Sequence, residues 1–402
     1  VRSLGEAGVP VLALSDGSRA ARMYSRYSYP MRCPDGLRNS DAFIRFLEEL
    51  GQRLTHRAVL YLMNDPHMIV VAQHRDLLDQ YYRIPLPQWE ILDRCLDKVA
   101  MYETAVKAGI PLPVTAAPSG IEELQRMAPR IPYPCILKPV SRYEFRDGAL
   151  RQKAFQHTYD VKALRANNED ELLSQYRQVL AEGFQVIVQE EIPGPDHALY
   201  TVGIYADKQS EIQATFTGRK LHQLPPDFGL CTYGESLTEP GLVEMGTKLT
   251  KALGFHGIAQ IEFKKDARDG QLKLMEINPR GWQWSYLATA CGVNLPDVAY
   301  RDLCGLPLPA TRQIATRRTW TNMVDEVRRY RQYERQGKLV EKKPLGAWLR
   351  WVISTVSRRE NDDAVFCWRD PIPGVMVVMR STLVGVRHGL RAIFSSKARD
   401  SV

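Results

Sequence analysis

The sequence predicts an α/β protein of two or three domains, and three observations carry that expectation. Over residues 1–95, short apolar strands alternate with amphipathic helical runs, the pattern of a parallel sheet covered by helices. Further on, Gly257–Phe263 and Leu274–Arg280 each alternate apolar with polar residues, and both flank the turn chemistry Asp266-Ala267-Arg268-Asp269-Gly270, so they read as a hairpin. Finally, 402 residues with 44% hydrophobic and 25% charged side chains suffice to bury more than one core.

Each element follows in order. Val1–Gly5 has the look of a first helix. Strands are expected at Val9–Ser15, Ala58–Asn64 and Arg83–Leu86, with helices near Asp41–Leu50 and Pro66–Gln80. A helix from about Leu96 to Ala108, opened by Asp97-Lys98, should stop at Gly109, before the extended link Ile110-Pro111-Leu112-Pro113. Pro134–Pro139 reads as a strand ending in Lys138-Pro139. Val140–Asp160 has the polarity of a loop, aromatic and basic through Arg142, Tyr143, Phe145, Arg146, Arg151 and Lys153, with Gly148 its one glycine. Asn167–Leu172 opens a capped helix, and Val186–Gly194 is a strand running into a hinge. Thr217–Pro226 reads as the exit of a strand into an irregular loop ending near Ser236. A helix over Gly241–Leu253 should end at Gly254. There is no internal repeat and no low-complexity stretch.

Composition removes several function classes. No apolar run approaches the roughly 18–20 residues needed to cross a bilayer, and no signal-peptide pattern is read at the N-terminus. Seven cysteines without CxxC pairs favour reduced thiols over a disulfide framework or zinc site, hence a cytoplasmic setting. The net charge of +8 is concentrated: residues 311–402 hold 19 Lys and Arg against 9 Asp and Glu, and the preceding 310 hold 35 against 37. That segment is expected to be a basic helical extension. Leu383, Val386, Leu390, Ile393 and Phe394 recur at helical spacing beside Arg380, Arg387 and Arg391. Leu345, Trp348, Trp351 and Val352 suggest a second amphipathic helix beside Arg350 and Arg358. Such helices either pack on their own domain or lie on an anionic membrane surface, here at the inner membrane face. No nucleic-acid-binding motif accompanies the charge.

The hairpin is the most informative stretch. Closed symmetrically about Asp269, it sets Glu262 opposite Glu276, where like charges about 4.5–5.5 Å apart repel. Asn278 falls on the same face. Two carboxylates and an amide oxygen form a hard-oxygen set suited to Mg²⁺ carrying phosphates, or Mn²⁺ in its place. The competing reading is a solvated acidic edge.

These residues resemble the metal-binding end of the ATP-grasp superfamily, and the chain from about residue 98 to 300 repeats that family's ordered motifs. The resemblance implies an ATP-grasp fold, two α+β lobes clamping ATP. Before it would come a Rossmann-like α/β domain lacking its first strand, and after it the basic extension. The boundaries expected are 1–95 for the N-terminal domain, 96–190 for the first lobe, 191–310 for the second lobe with the metal site, and 311–402 for the extension. By the resemblance, Lys98 and Lys138 are phosphate lysines, and Lys162 is a third, though it could equally be a solvated strand residue. Gln189, Glu190 and Ile192 lie on the adenine-holding strand and hinge, Asp196 takes the ribose, and Glu262, Glu276 and Asn278 hold the metal.

Arg219 and Lys220, at the start of the expected loop, are candidates for holding a carboxylate or the γ-phosphate; otherwise they form an exposed basic turn. Arg280, two residues beyond Asn278, suits a carboxylate or a developing acyl phosphate, or else braces the Asn-Pro turn. Trp282 and Trp284 either line an acceptor pocket or belong to the core. The look of Gly218–Leu221 and Glu276–Arg280 is nearer the carboxylate–amine ligases, including D-aspartate ligase-like and D-alanine–D-alanine ligase-like proteins, than biotin carboxylases. The implied activity is amide or peptide bond formation from ATP, an amino acid or other carboxylate, and an amine acceptor. It would pass through an acyl phosphate and release ADP and phosphate. The other function considered is a non-catalytic nucleotide-binding protein that docks on membrane or an acidic polymer through its basic segment. A homodimer is left open.

Overall fold

The computed structural model describes residues 1–379 apart from 18–22, 147–148, 153–154, 160–161, 226–227, 315–316, 336–344, 357 and 378. The widest layer is a seven-stranded sheet in the order Leu272–Asn278, Gly257–Lys265, Leu199–Ala206, Ile212–Leu224, Leu230–Ser236, Thr319–Thr321 and Asn361–Asp363. Neighbours are antiparallel except the last pair, which is parallel. Because side chains alternate along each strand, the register sorts them into two faces. One face carries Val202, Ile204, Ala259, Ile261, Phe263, Leu274 and Ile277. They are buried under helix Pro240–Leu253 and under Met101 and Ala105 of helix Lys98–Lys107.

The opposite face is divided. Tyr205, Ala214, Phe216 and Ile258 make an apolar end that packs against Trp282 and Trp284. Thr201, Lys220, Gln260, Glu262, Glu276 and Asn278 make a polar end. Of the two readings of the tryptophans, the core prevails: they are 3% and 2% exposed. Gly203 is what admits Trp282, since a Cβ there would stand 2.1 Å from the indole ring.

A second, four-stranded antiparallel sheet runs Thr115–Ala116, Val186–Glu190, Cys135–Pro139, Leu164–Ala166. Helices Ile121–Met127 and Glu169–Ala181 share its core. The second helix starts where expected: the Asn168 side chain accepts from the Glu171 N–H, and Glu169, Asp170 and Glu171 fill the first turn. Helix Pro240–Leu253 likewise ends at Gly254 with φ 66°, a left-handed cap that glycine adopts without strain.

Several elements depart from expectation. The N-terminal parallel pairing exists as two separate ladders, Leu12–Ser15 with Tyr29–Arg32 and Ala58–Val59 with Tyr82–Arg83. Tyr29–Arg32 escaped the pattern because it contains Pro30 and all four residues are exposed, so no alternation marks it. Leu96 ends a separate helix, Trp89–Leu96, and the next opens at Asp97-Lys98 as expected: Asp97 is extended and caps Lys98–Lys107 by accepting from Val99 and Ala100. Val140–Asp160 is not a plain loop: Tyr143–Arg146 and Ala149–Gln152 pair as a hairpin, and Phe155–Tyr159 is a short helix. Leu150 of that hairpin is buried against the N-terminal core of Phe43, Leu47 and Met68.

The expected loop after Thr217 is also a correction. Arg219 and Lys220 lie inside the thirteen-residue strand Ile212–Leu224, Arg219 paired with Tyr200 and Glu235 and Lys220 with Gly234. Gly218 and the Pro225-Pro226 pair suggested a turn, but Gly218 is there for close packing, with the Glu235 carbonyl 2.7 Å from where its Cβ would be.

The segment after 310 is not purely helical either, since it supplies the two outer strands of the large sheet. Glu326 of helix Met323–Arg335 is 1% exposed, and its carboxylate meets His222 at 3.0 Å and Arg329 at 2.9 Å. Trp351, on helix Leu345–Val356, packs its ring against His222 and Tyr233. The amphipathic run from Arg380 to Phe394 lies outside the described residues. Among those described, no helix is long and apolar enough to cross a membrane.

Candidate active site

The hairpin does set Glu262 opposite Glu276, and Gln260 opposite Asn278. It reaches that register through a bulge. Lys265, Lys264 and Phe263 pair with Leu272, Lys273 and Leu274, a turn centred half a residue earlier than Asp269. Continued unbroken, that register would set Glu262 against Met275. The ladder instead shifts between Glu262 and Phe263, leaving Met275 as the extra residue, and Glu276 moves into place. The carbonyl of Met275 accepts a hydrogen bond from the Tyr102 hydroxyl at 2.7 Å.

The two carboxylates sit in unlike surroundings. Glu262 is 7% exposed and takes Lys220 Nζ at 2.8 Å and Gln260 Nε2 at 3.0 Å on the same oxygen. Burial raises its pKa, Lys220 opposes that, and the Glu276 charge raises it further. Glu276 stands in a cleft with 34% of its side chain open to solvent, Arg142 at 3.7 Å and the Asn278 amide at 3.3 Å. Burial works to raise its pKa as well, but Arg142, Lys220, Lys98 and Lys138 outweigh it, so Glu276 stays ionised.

Around this pair the chain gathers cations from one helix, two strands and two connecting segments. Lys98 is the first residue of its helix and donates to the Pro139 carbonyl at 2.9 Å. Its pKa falls to about 7 through burial and then the nearby Arg142, partly offset by Glu276. Lys138 donates to Gln189 at 3.1 Å and is lowered to about 8, again by burial first. Lys162 also falls to about 8 through burial, and it feels Arg142, Glu276, Lys220 and Glu262. A cation at a helix N-terminus is itself unfavourable. With Arg142 and Lys220, five basic side chains stand around the two carboxylates, a concentration of perturbed titratable groups of the kind found at functional sites.

The other expected residues are placed as follows. Gln189 is fully buried and its amide is spent on Lys138, Tyr102 and Thr115. The Glu190 carboxylate turns away to the hairpin turn, where it binds Arg268 at 2.7 Å, Lys273 at 3.4 Å and the Val114 N–H at 2.8 Å. Ile192 is 2% exposed. Asp196 accepts from Gln223 at 2.7 Å. Arg219 does not join Lys220: adjacent strand residues face opposite sides, and Arg219 is paired at 2.6 Å with Glu235 on the far face. The two therefore make no joint basic clamp. Arg280 forms an ion pair with Asp65, the first residue of helix Asp65–Gln73, and so joins the N-terminal region to the end of the hairpin.

Three participants were not singled out as site residues from the sequence. In the sequence Arg142 reads as one of several basic loop residues, and its position four residues after Lys138 is the available signal. Asp65 and Tyr102 carried none, since each acts through a contact with residues more than 170 positions away. Asp65, Lys98, Arg142, Tyr143, Glu276 and Asn278 line one narrow pocket.

The donor set fits a hard divalent cation carrying phosphates. Its ligands are oxygens, with no His or Cys among them, and Arg142 and Lys220 already stand as positive charges on the two carboxylates. The Asn278 amide presents its nitrogen to Glu276, and a half-turn would present oxygen instead.

Comparison with known proteins agrees. A family described as "ATP-grasp in the biosynthetic pathway with Ter operon" matches residues 185–326. A D-aspartate ligase of Enterococcus faecium (strain Aus0004) is 26% identical over 275 residues, 65% of this chain and 62% of that protein. The chain thus spans about three-fifths of that relative. Among solved structures, N5-carboxyaminoimidazole synthetase from Staphylococcus aureus complexed with ADP superposes with TM-score 0.60 at 16% identity, covering 83% of this chain and 82% of that one. L-amino acid ligase from Bacillus licheniformis gives 0.54 at 16% identity, covering 75% and 70%. At such identities the structural likeness speaks for the fold alone; with the match over residues 185–326 and the opposed carboxylates of the hairpin, the chain is similar to ATP-grasp proteins in both sequence and fold.

Proposed function

We propose that the chain is an ATP-dependent carboxylate–amine ligase, forming an amide or peptide bond with release of ADP and phosphate. The observation that carries this reading is the convergence of Lys98, Lys138, Lys162, Arg142 and Lys220 on the opposed pair Glu262 and Glu276. Such an excess of cations beside hard-oxygen ligands suits a polyphosphate with its metal. The similarity to a D-aspartate ligase favours an amino acid as the carboxylate.

In this reading Lys98, Lys138 and Lys162 neutralise phosphate charge, and Asp196 lies on the ribose side. Gln189 orients Lys138, and Ile192 closes the adenine side. Glu262, Glu276 and Asn278 would hold Mg²⁺ or Mn²⁺, which supplies charge neutralisation on the transferring phosphoryl group. Arg142 and Lys220 would exchange their carboxylate partners for phosphate oxygens when the nucleotide enters. Transfer to a carboxylate oxygen then depends on positioning, and attack of an amine on the acyl phosphate completes the bond. Arg280 stands on the acceptor side with Asp65, and Arg219 is left as a sheet residue.

The test is ADP release from the purified protein across pairs of carboxylates and amines. Release should depend on the carboxylate, and hydroxylamine should trap a hydroxamate. AMP and pyrophosphate as products would exclude this chemistry. The docking function is disfavoured at one of its candidate helices, because Trp351 is already packed on His222 and Tyr233.

A further inference from the structure

The bulge at Met275 decides whether Glu276 or Met275 faces Glu262, and one side chain holds it. The extra residue of a bulge is left unpaired in the ladder, so its backbone groups need partners from elsewhere. Here the Tyr102 hydroxyl donates to the Met275 carbonyl at 2.7 Å and accepts from Gln189 Nε2 at 2.9 Å. Gln189 in turn accepts from Lys138 at 3.1 Å and donates to Thr115 Oγ1 at 3.0 Å. The Tyr102 ring is 5% exposed and wedged in the core beneath the sheet, with Met101 and Ala105 of its own helix. A phenol so placed has little freedom to point elsewhere. An unbroken line of hydrogen bonds therefore runs from a phosphate lysine on the four-stranded sheet to the bulge on the seven-stranded one.

We propose that Tyr102 is a positioning residue: its hydroxyl, acting through the Met275 carbonyl, fixes the bulge that sets Glu262 and Glu276 face to face. It thereby sets the affinity of the site for a divalent cation. Tyr102 touches neither metal nor substrate. This rests on the reading of Glu262, Glu276 and Asn278 as metal ligands. Removing the hydroxyl leaves a half-buried carbonyl without its partner and frees the hairpin to relax toward the register without the bulge, which takes Glu276 out of line. Because the change is one of register, metal binding should suffer more than the fold does.

The experiment compares wild type with Tyr102→Phe, which keeps the ring and its packing. Mn²⁺ binding is followed by electron paramagnetic resonance in the presence of a non-hydrolysable ATP analogue, and metal-free nucleotide binding is followed separately with a fluorescent ATP derivative. We expect Mn²⁺ affinity to fall about tenfold or more, metal-free nucleotide affinity to change less than about twofold, and amide exchange at Glu276 and Ile277 to quicken. A purely structural tyrosine would lower the melting temperature and leave Mn²⁺ affinity, measured well below melting, as in wild type; that result overturns the proposal. Absence of Mn²⁺ binding in wild type itself would overturn both this proposal and the metal-ligand reading beneath it, whereas wild-type affinity in Tyr102→Phe sinks the proposal alone. If Tyr102→Phe fails to fold, Gln189→Leu takes its place, because it strips the hydroxyl of its orienting donor. A lowered Mn²⁺ affinity there, beyond any change in nucleotide affinity, supports the proposal, and an unchanged one defeats it.

Discussion

At the scale of single residues, the site is a balance between charges that would repel one another without a ligand. Glu276 is the hinge of that balance, because Lys98, Lys138 and Lys162 all feel it. Glu276→Gln should therefore abolish ATP turnover by removing a metal ligand, and it should also loosen the cluster by leaving Arg142 and the lysines without their counter-charge. Asn278→Ala should abolish turnover with the cluster intact. Circular dichroism establishes the fold and a coupled ADP assay the activity; wild-type turnover in either variant would remove that residue from the metal set. Arg280 calls for a different design, since it is paired with Asp65. If its work is bracing, the double-mutant cycle Arg280→Ala with Asp65→Ala should show coupling within the 0.5–3 kcal/mol range typical of contacting pairs, roughly the same in stability as in turnover. If it also holds the carboxylate substrate, Arg280→Ala should cost turnover at least about tenfold beyond Asp65→Ala, the equivalent of about 1.4 kcal/mol.

At the scale of elements, what positions the site is local chemistry that can be read wherever the signal is local. The Asn168 cap, the Gly254 stop and the alternation of the hairpin that carries Glu262 and Glu276 were all legible. The facing of Glu262 and Glu276 was legible too, but by a route that differs from the real one: symmetry about Asp269 gave the pair, whereas the chain gets there with an earlier turn and a bulge at Met275. No residue pattern announces a bulge held by a tyrosine 173 positions away. The strand through Arg219 and Lys220 was missed for a related reason. Gly218 and Pro225-Pro226 are turn residues by composition, and only pairing with both neighbours makes the segment a strand. Asp97-Lys98 was legible as the opening of a helix, and the structure makes Asp97 its cap. Its side chain accepts from Val99 at 2.8 Å and Ala100 at 2.9 Å, and so starts the helix at Lys98. Asp97→Ala should cost about 1 kcal/mol of stability by removal of the cap. Nucleotide affinity should weaken with it, because the first turn carries Lys98. Urea unfolding and a nucleotide titration on the same variant check both, and unchanged nucleotide affinity alongside lost stability would separate the cap from the site.

At the scale of the whole molecule, the fold gathers cations that are costly until an anion arrives, and this should be visible in its proton linkage. In the ligand-free protein Lys98 has a pKa of about 7, and Lys138 and Lys162 about 8, against about 10.4 for an unfolded lysine. The folded state therefore binds fewer protons than the unfolded state from about pH 7 upward, so these lysines make stability rise with pH in that window. Each can contribute a slope of up to about 1.4 kcal/mol per pH unit. Buried thiols such as Cys95, raised to about 12, act in the opposite sense once unfolded cysteine ionises near pH 8.5, so the clean interval lies between about 7 and 8.5. Lys98→Met should flatten the slope there. Nucleotide binding works in reverse: phosphate charge favours the ammonium forms, and binding at pH 8 should draw protons in. ATP affinity should then fall as pH rises above about 8. Calorimetric titration in buffers of different ionisation enthalpy measures that uptake directly. Proton release at pH 8, or none, would mean the lysines do not meet the phosphates, and the site as a whole would need another ligand to explain its charge.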